Sequence, residues 1–423
     1  MIKRVLKSLG PGMIMAATAI GAGDMILSPV AGARYGFDLM WLVLFAHLFK
    51  YPAFEFAPRF AIANGHSLIT GYYNVPGPKG WALWIFLVTT TLQGLTITTG
   101  LISVTASVAF VSLGGIPYPA WIVALGLFIM LLHKTGKYHA LDIICKVMLG
   151  ILAVVTAVAF ITSAPRASDL ARMLVPSIPA GSVLLASSIF GLAPTGINVS
   201  IWHSLWVLEH VKYWEKTAKN KADMFRMSLI DFRVGYWFSA IIGMMFMALG
   251  ANELRPRGLT PDGVNVAVTL SRIYTELIGP WMYGFFMLAV FAAMFSSTYS
   301  VLDGFPRAFS NILRTLAPDR AFFKHPKNFT YWGFMIVIVT FATIVTTLLP
   351  NPVLLVSLVG ALSLLIAPVL YSLNYYCATR LINDPSMRPP QWKRIWAILG
   401  ILCMAAAGAF SVYTEIFLRY LAR

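Results

Sequence analysis

Residues whose types could bind a solute lie at two interruptions of long apolar segments. The residues of the first interruption are Gly21, Ala22, Gly23 and Asp24. Those of the second are Ala193, Pro194, Thr195, Gly196, Ile197 and Asn198. Each glycine costs a helix about 1 kcal/mol relative to alanine, and a carboxylate at membrane depth is costly and usually functional. Two interrupted segments in corresponding halves of a chain indicate the binding site of a transporter.

Two kinds of solute suit these residues. The carboxylate of Asp24, the amide oxygen of Asn198, and the hydroxyls of Ser28 and Thr195 are hard oxygen ligands, which suit Mg²⁺, Mn²⁺ or Ca²⁺. Backbone N–H groups freed at a helix break bind anions, and the small residues there let a solute approach the backbone. The residues alone leave both alternatives open.

The composition indicates an all-α integral membrane protein. The chain has 423 residues, of which 58% are hydrophobic and 11% charged, with mean hydropathy +0.75, whereas soluble domains carry about 25% charged residues. We expect a single integral membrane domain over residues 1–423 with eleven transmembrane helices. The apolar segments are 12–35, 38–62, 81–112, 118–133, 139–163, 182–208, 229–250, 279–303, 330–350, 352–377 and 395–418.

The net charge of +16 is explained by membrane topology. With the N-terminus inside, 22 Lys and Arg residues fall on cytoplasmic segments and 8 on outer ones. This asymmetry predicts a multi-pass protein of the cell inner membrane or plasma membrane, with a cytoplasmic N-terminus. The lipid bilayer is then its large partner, and nucleic acid is excluded. No cofactor motif, nucleophile–base pair or metal-ligand cysteine spacing is present, so we expect neither an enzyme nor a cofactor.

Five further polar residues within the apolar segments are candidates for proton transfer or gating. They are His47, Lys50, Thr90, Gln93 and His203. Intramembrane histidines are typical proton relays, and hydroxyl and amide groups bond across membrane helices. Lys50 and Glu55 are five residues apart and do not share a helix face. We therefore expect each of these two to pair elsewhere.

The chain resembles the NRAMP family of divalent metal transporters. The resemblance is carried by GPGMIMAATAIGAGDMILSPVAGARYG (10–36), AHLFKYPAFEFAPRFAIANGHSL (46–68), GKYHALD (136–142), HSLW (203–206) and SST (296–298). It implies a LeuT-like fold in which the first and sixth helices are broken. Together with the positions of the breaks, it predicts two inverted five-helix repeats, 1–165 and 182–378, and an additional helix in 393–423.

The binding residues depart from the family pattern. In register, Gly21, Ala22 and Asp24 stand where the family's first-helix signature has Asp, Pro and Asn. In the sixth helix Ala193 is kept, whereas Gly196, Ile197 and Asn198 replace Met, Pro and His. The second histidine of that helix is kept as His203. Thr90 and Gln93 stand at the positions of an acidic pair, and Leu358 stands at that of a glutamine.

The leading prediction is a monomeric secondary transporter of a small solute, namely a hard divalent cation held by Asp24 and Asn198. The methionine thioether of the family pattern is replaced by Gly196, which argues against soft metals. The small number of titratable groups predicts weak or absent proton coupling. The alternative is a family member that has lost metal binding. Such a protein would carry a small anion such as bicarbonate, or an amino-acid-like solute, on backbone N–H groups. A third class is a receptor or scaffold that no longer transports.

Overall fold

Helices form the whole regular structure of the described chain. The computed structural model describes residues 10–21, 23–136, 139–216, 218, 220–318 and 329–418, and no strand occurs among them. The α-helices of six residues or more are α1 Pro11–Ala19, α2 Ser28–Tyr35, α3 Met40–Asn64, α4 Leu68–Tyr73, α5 Trp81–Leu113, α6 Tyr118–Thr135, α7 His139–Ser163, α8 Val183–Leu192, α9 Asn198–Trp214, α10 Lys221–Leu249, α11 Val266–Leu277, α12 Met282–Leu316, α13 Phe329–Leu348, α14 Pro352–Arg380 and α15 Gln391–Val412.

Every predicted apolar segment contains helix. Seven of the described helices (α5, α6, α10, α12, α13, α14 and α15) are long and apolar enough to cross a membrane. Three helices extend well beyond their apolar segments: α9 continues to Trp214, α10 begins at Lys221 and α12 continues to Leu316. The residues beyond the apolar runs include lysines and arginines, which end a hydropathy signal but are good helix formers. The count of eleven transmembrane spans remains a prediction.

Both predicted breaks are confirmed. The first apolar segment divides into α1 and α2, joined by a π-helical turn over Gly23–Leu27. The sixth divides into α8 and α9, which are separated by residues 193–197. The two breaks lie close together, since a Cβ added to Gly23 would contact Leu192 at the end of α8. One binding candidate at the first break, Ala22, lies outside the described residues.

Neighbouring helices fix each half of the broken helices. α8 packs against α14, and the hydroxyl of Ser188 donates to the carbonyl of Ser357 across that contact. α1 packs against α10, where the Asp231 carboxylate accepts hydrogen bonds from the backbone N–H groups of Gly10 (2.8 Å) and Gly12 (2.5 Å). The first N–H groups of a helix lack helical acceptors and carry partial positive charge, so this carboxylate stabilises the start of α1.

A buried charged cluster ties α3 to α15. Glu55 Oε1 accepts hydrogen bonds from Arg59 Nη2 (2.5 Å) and Lys393 Nζ (3.1 Å). Arg59 Nη1 donates in turn to the Met387 carbonyl (2.6 Å), before α15 begins. All three charged side chains are at least nine-tenths buried. Glu55 therefore pairs away from Lys50, as the five-residue spacing predicted.

Candidate solute-binding site

A cavity of about 40 Å³ lies between the two breaks. Its wall combines the end of α1, the end of α8 and the start of α9 with faces of α5, α12 and α14. The polar residues of the wall are Thr18, Thr195, Asn198 and Trp202. Its other lining residues are glycine or apolar, and Gly23 is one of them. The structure thus brings three sequence candidates, Gly23, Thr195 and Asn198, to one small cavity.

Asn198 is the polar group of the wall that most clearly lacks partners. It is the first residue of α9, and its side chain is 1% exposed. Neither Oδ1 nor Nδ2 has a hydrogen-bond partner among the described residues. Buried polar side chains are nearly always satisfied, and each exception requires an explanation such as a bound solute. An amide provides both an acceptor and donors, so it suits either a cation or an anion.

Gly196 makes room for that amide. A Cβ built on Gly196 would lie closer to Asn198 Oδ1 than nonbonded atoms can approach. In the resemblance to the NRAMP family, Gly196 stands where the family pattern has a methionine. In this chain any side chain here would displace the amide, so the glycine and the asparagine act as a pair.

Asp24 does not line the cavity. It lies in the π-helical turn, is 1% exposed, and its Oδ2 has no hydrogen-bond partner within the described ranges. A Cβ added to Gly243 of α10 would lie 2.6 Å from Asp24 Oδ1, so the carboxylate rests directly on that glycine. The predicted pairing of Asp24 with Asn198 around one ion stays a prediction. The carboxylate is placed behind the break, towards α10.

Lys50 reaches the second break from α3. Its Nζ donates to the carbonyls of Gly191 (2.6 Å) and Ala193 (2.9 Å), and lies 3.5 Å from that of Thr195. The side chain is fully buried. The ammonium therefore donates hydrogen bonds to carbonyls that have no helical donor at the break, including that of Ala193. Lys50 is a candidate for proton transfer or gating, and in the structure it contacts the break itself.

The two histidine candidates differ in their surroundings. His47 is bonded through both ring nitrogens, Nδ1 to the Val43 carbonyl (2.7 Å) and Nε2 to Ser239 Oγ (3.2 Å). His203 is completely buried, and neither of its ring nitrogens has a partner in the described chain. Its ring packs against Phe232, with 6.0 Å between centroids. His47 thus joins α3 to α10, whereas His203 retains unused hydrogen-bonding capacity.

Thr90 and Gln93 lie on the cavity-facing side of α5. Gln93 lies about one turn, and Thr90 about two turns, before Ile97, which lines the cavity, and both spacings share a helix face. Thr90 Oγ1 and Gln93 Oε1 are buried and have no hydrogen-bond partner among the residues described. Neutral groups at these positions cannot hold the charge of an acidic pair. They can only accept or donate hydrogen bonds.

The remaining candidates surround the breaks without entering the wall. Ser28 is buried at the start of α2, and Ala193 is buried beyond the end of α8. A Cβ on Gly21 would press on Ser297 Oγ at 3.2 Å, so the first break also approaches α12 closely. Leu358 is 46% exposed, whereas its neighbours Val356 and Val359 line the cavity.

Sequence reasoning missed two polar residues of the wall. Trp202 lies one turn after Asn198 on α9, and its Nε1 has no partner in the part of the chain that the structure describes. The i, i+4 spacing from Asn198 was the available signal. Thr18 lies near the end of α1, and nothing in its local sequence distinguishes it from the other small residues there.

The site as a whole offers neutral oxygen and nitrogen groups in an apolar enclosure. No cluster of three or more His, Cys, Asp or Glu side chains that could hold a metal occurs within the described ranges. A volume of 40 Å³ accommodates about three water-sized groups. Such a cavity can enclose a small, partly hydrated ion, but a bulky organic solute would require it to widen.

Comparison with known proteins agrees with the architecture. The family model described as natural resistance-associated macrophage protein-like matches residues 12–414. An uncharacterized protein of Pasteurella multocida is 30% identical over 319 residues, which are 73% of this chain and 71% of that protein. The divalent metal cation transporter MntH of Bacillus subtilis is 26% identical over 311 residues, covering 71% of this chain and 70% of MntH.

Among solved structures, the chain is similar to the manganese transporter of Eremococcus coleocola. The TM-score is 0.71 at 16% sequence identity, with 98% of this chain and 87% of that chain covered. This likeness shows a shared fold. Together with the family match over nearly the whole sequence, it means that the chain belongs to the natural resistance-associated macrophage protein-like family and has its LeuT-like fold with broken first and sixth helices.

Proposed function

We propose that this protein is a divalent metal cation transporter that carries a hard ion such as Mg²⁺ or Mn²⁺ by alternating access. The unsatisfied amide of Asn198 in the cavity between the breaks carries this proposal. The family match and the MntH relative support the class of solute. Transport of this kind needs a small site near the middle of the membrane where the broken helices meet.

The chemistry of the wall favours a hard ion that keeps part of its water. The side chains that line the cavity contain oxygen and nitrogen but no sulfur, and soft metals prefer sulfur ligands. Mg²⁺ dehydrates reluctantly and is usually bound with several waters retained. In this proposal Asn198 and Thr195 contact the ion or its waters, while Asp24 supplies negative charge from behind the first break.

Proton coupling is weak or absent in the proposed cycle. The positions that resemble the family's acidic pair carry Thr90 and Gln93, which have no charge to exchange. His203 is the one buried candidate histidine with unpartnered nitrogens in the described chain.

We further propose a monomer in the inner or plasma membrane with a cytoplasmic N-terminus, built from inverted repeats 1–165 and 182–378.

The test is isothermal titration of the purified full chain with Mn²⁺ and Mg²⁺, together with uptake of both ions into proteoliposomes. For Asn198→Ala we expect affinity to fall by about tenfold or more, since a lost contact to a charged ligand is worth roughly 1.5–3 kcal/mol. Asn252→Ala is the matched control, because Asn252 donates to the Ser163 carbonyl away from the cavity. Unchanged binding in Asn198→Ala would contradict the site.

A small anion is the second candidate function, and one observation favours it. Lys50 places a positive charge at the second break and uses the carbonyls that a cation would seek. In the same titration, saturable heat from bicarbonate without heat from either metal ion would select the anion. The cavity volume disfavours an amino acid with a large side chain.

A further inference from the structure

Lys50 is a buried cation without a counter-ion. Its side chain is fully buried, and no carboxylate forms an ion pair with it anywhere in the described chain. A second buried lysine, Lys393, has the Glu55 carboxylate at 3.1 Å. Burial of an uncompensated charge is expensive, and such a charge needs compensating hydrogen bonds. Among the described residues, the partners that compensate Lys50 are backbone carbonyls.

Those carbonyls form an arrangement suited to a cation. α8 ends at Leu192, so the carbonyl of Gly191 has no helical N–H donor one turn later. The C-terminal end of a helix also carries partial negative charge, which attracts cations. The carbonyls of Gly191, Ala193 and Thr195 all point to the Lys50 nitrogen, at 2.6, 2.9 and 3.5 Å. Carbonyls of unwound segments and helix C-termini are the groups that bind a coupling Na⁺ in transporters with broken helices.

We propose that Lys50 is a tethered cation that fills a monovalent-cation site at the end of α8. The ammonium, carried in from α3, takes the place that Na⁺ or K⁺ would hold on the carbonyls of Gly191, Ala193 and Thr195. The native chain then transports without dependence on either alkali ion. A chain that lacks the ammonium exposes the carbonyl site and binds an alkali ion there.

The site adjoins the cavity of the proposed function and shares Thr195 with it, but its two shorter contacts, to Gly191 and Ala193, lie outside the cavity wall. The ammonium contacts the carbonyls of α8 and the residues just beyond it, whereas Asn198 and Trp202 face the cavity from α9. The inference rests on the geometry around Lys50 and is independent of the identity of the transported solute. It can therefore be tested with no divalent ion or bicarbonate present.

The experiment compares thermal unfolding of the detergent-solubilised full chain in NaCl, KCl and N-methyl-D-glucamine chloride at equal ionic strength. For Lys50→Ala we expect a saturable rise of about 2–4 °C in Tm with Na⁺ or K⁺, because an ion that binds only the folded state stabilises it. The wild type should show no such rise. Lys393→Ala is the matched control, since it removes a buried lysine that has its own carboxylate, and its Tm should not respond to either ion.

Propylammonium provides a second measurement with the same variant. It supplies the atoms that Lys50→Ala removes, and we expect it to raise the Tm of that variant alone. A folded Lys50→Ala protein that responds to none of the three cations would overturn the proposal. Failure of the variant to fold in saturating Na⁺, K⁺ and propylammonium would also overturn it, because an open cation site would accept one of them.

The measurements distinguish a failure of this inference from a failure of the proposed function. A cation response in Lys50→Ala without divalent binding by the wild type would leave this inference standing and reject metal transport. Divalent binding by the wild type with no cation response in Lys50→Ala would reject this inference and leave metal transport standing.

Discussion

The two breaks look alike in sequence but differ in what they present to the cavity. The second break presents the unsatisfied amide of Asn198 to the cavity and its carbonyls to Lys50. The first presents Gly23 to the cavity and turns the carboxylate of Asp24 towards Gly243. The comparison teaches that two similar breaks can turn their polar groups in different directions. In the proposed function, the second break provides direct contacts with the ion and the first provides charge and space.

The largest effect should come from the charge of the first break. Asp24→Asn retains the shape of the side chain and removes its charge, so we expect affinity for Mn²⁺ to fall by about tenfold or more. Titration of the folded variant measures this directly, with Asp38→Asn as control, because Asp38 is paired with Arg172 at the protein surface. Unchanged affinity would reduce the role of Asp24 to packing, and stronger binding of bicarbonate would support the anion.

A smaller effect should come from the second break. Gly196→Ala forces the Asn198 amide to turn, since the new Cβ would collide with its oxygen. We expect divalent affinity to fall about fivefold to tenfold, the cost of one displaced hydrogen-bonding group, with little change in Tm. Gly284→Ala on α12 is the control, because a Cβ there meets nothing within 4 Å. If Gly196→Ala binds the ion normally, the amide is not a ligand.

Gly243→Ala tests whether the two breaks contribute separately to ion affinity. Its Cβ would lie 2.6 Å from Asp24 Oδ1 and 3.1 Å from its carboxyl carbon, so the carboxylate must move. Overpacking of this kind costs about 1–3 kcal/mol, which should appear as a lower Tm. We expect affinity to change less than in Gly196→Ala, because the cavity wall is untouched. A greater loss of affinity than in Gly196→Ala would mean that Asp24 contacts the ion.

His203→Gln should have the smallest effect. The ring packs on Phe232, and its nitrogens bond to nothing in the described part of the chain, so the loss is confined to packing. We expect uptake within about twofold of the wild type, since the change should be worth less than about 0.5 kcal/mol. The dependence of uptake on pH should also be unchanged. A flattened pH profile would instead identify His203 as a proton carrier.

Much of the fold could be predicted from the sequence, because long apolar runs and helix breakers act locally. The eleven apolar segments and both breaks were located in this way, and the separate partners of Lys50 and Glu55 followed from their spacing. The direction of Asp24 could not be predicted. It lies in a π-helical turn, where the usual helical periodicity does not apply, and it rests on Gly243, more than 200 residues later in the chain.

The contact at the start of α1 has a consequence for turnover. The Asp231 carboxylate holds the backbone N–H groups of Gly10 and Gly12, so α1 cannot move away from α10 without breaking charge-assisted hydrogen bonds. None of these groups touches the solute cavity. If that separation is the slow step of the transport cycle, the maximal rate is set by the contact between α1 and α10 and not by the solute. Mg²⁺ and Mn²⁺ would then be carried at the same maximal rate, and would differ only in the concentration needed to reach it.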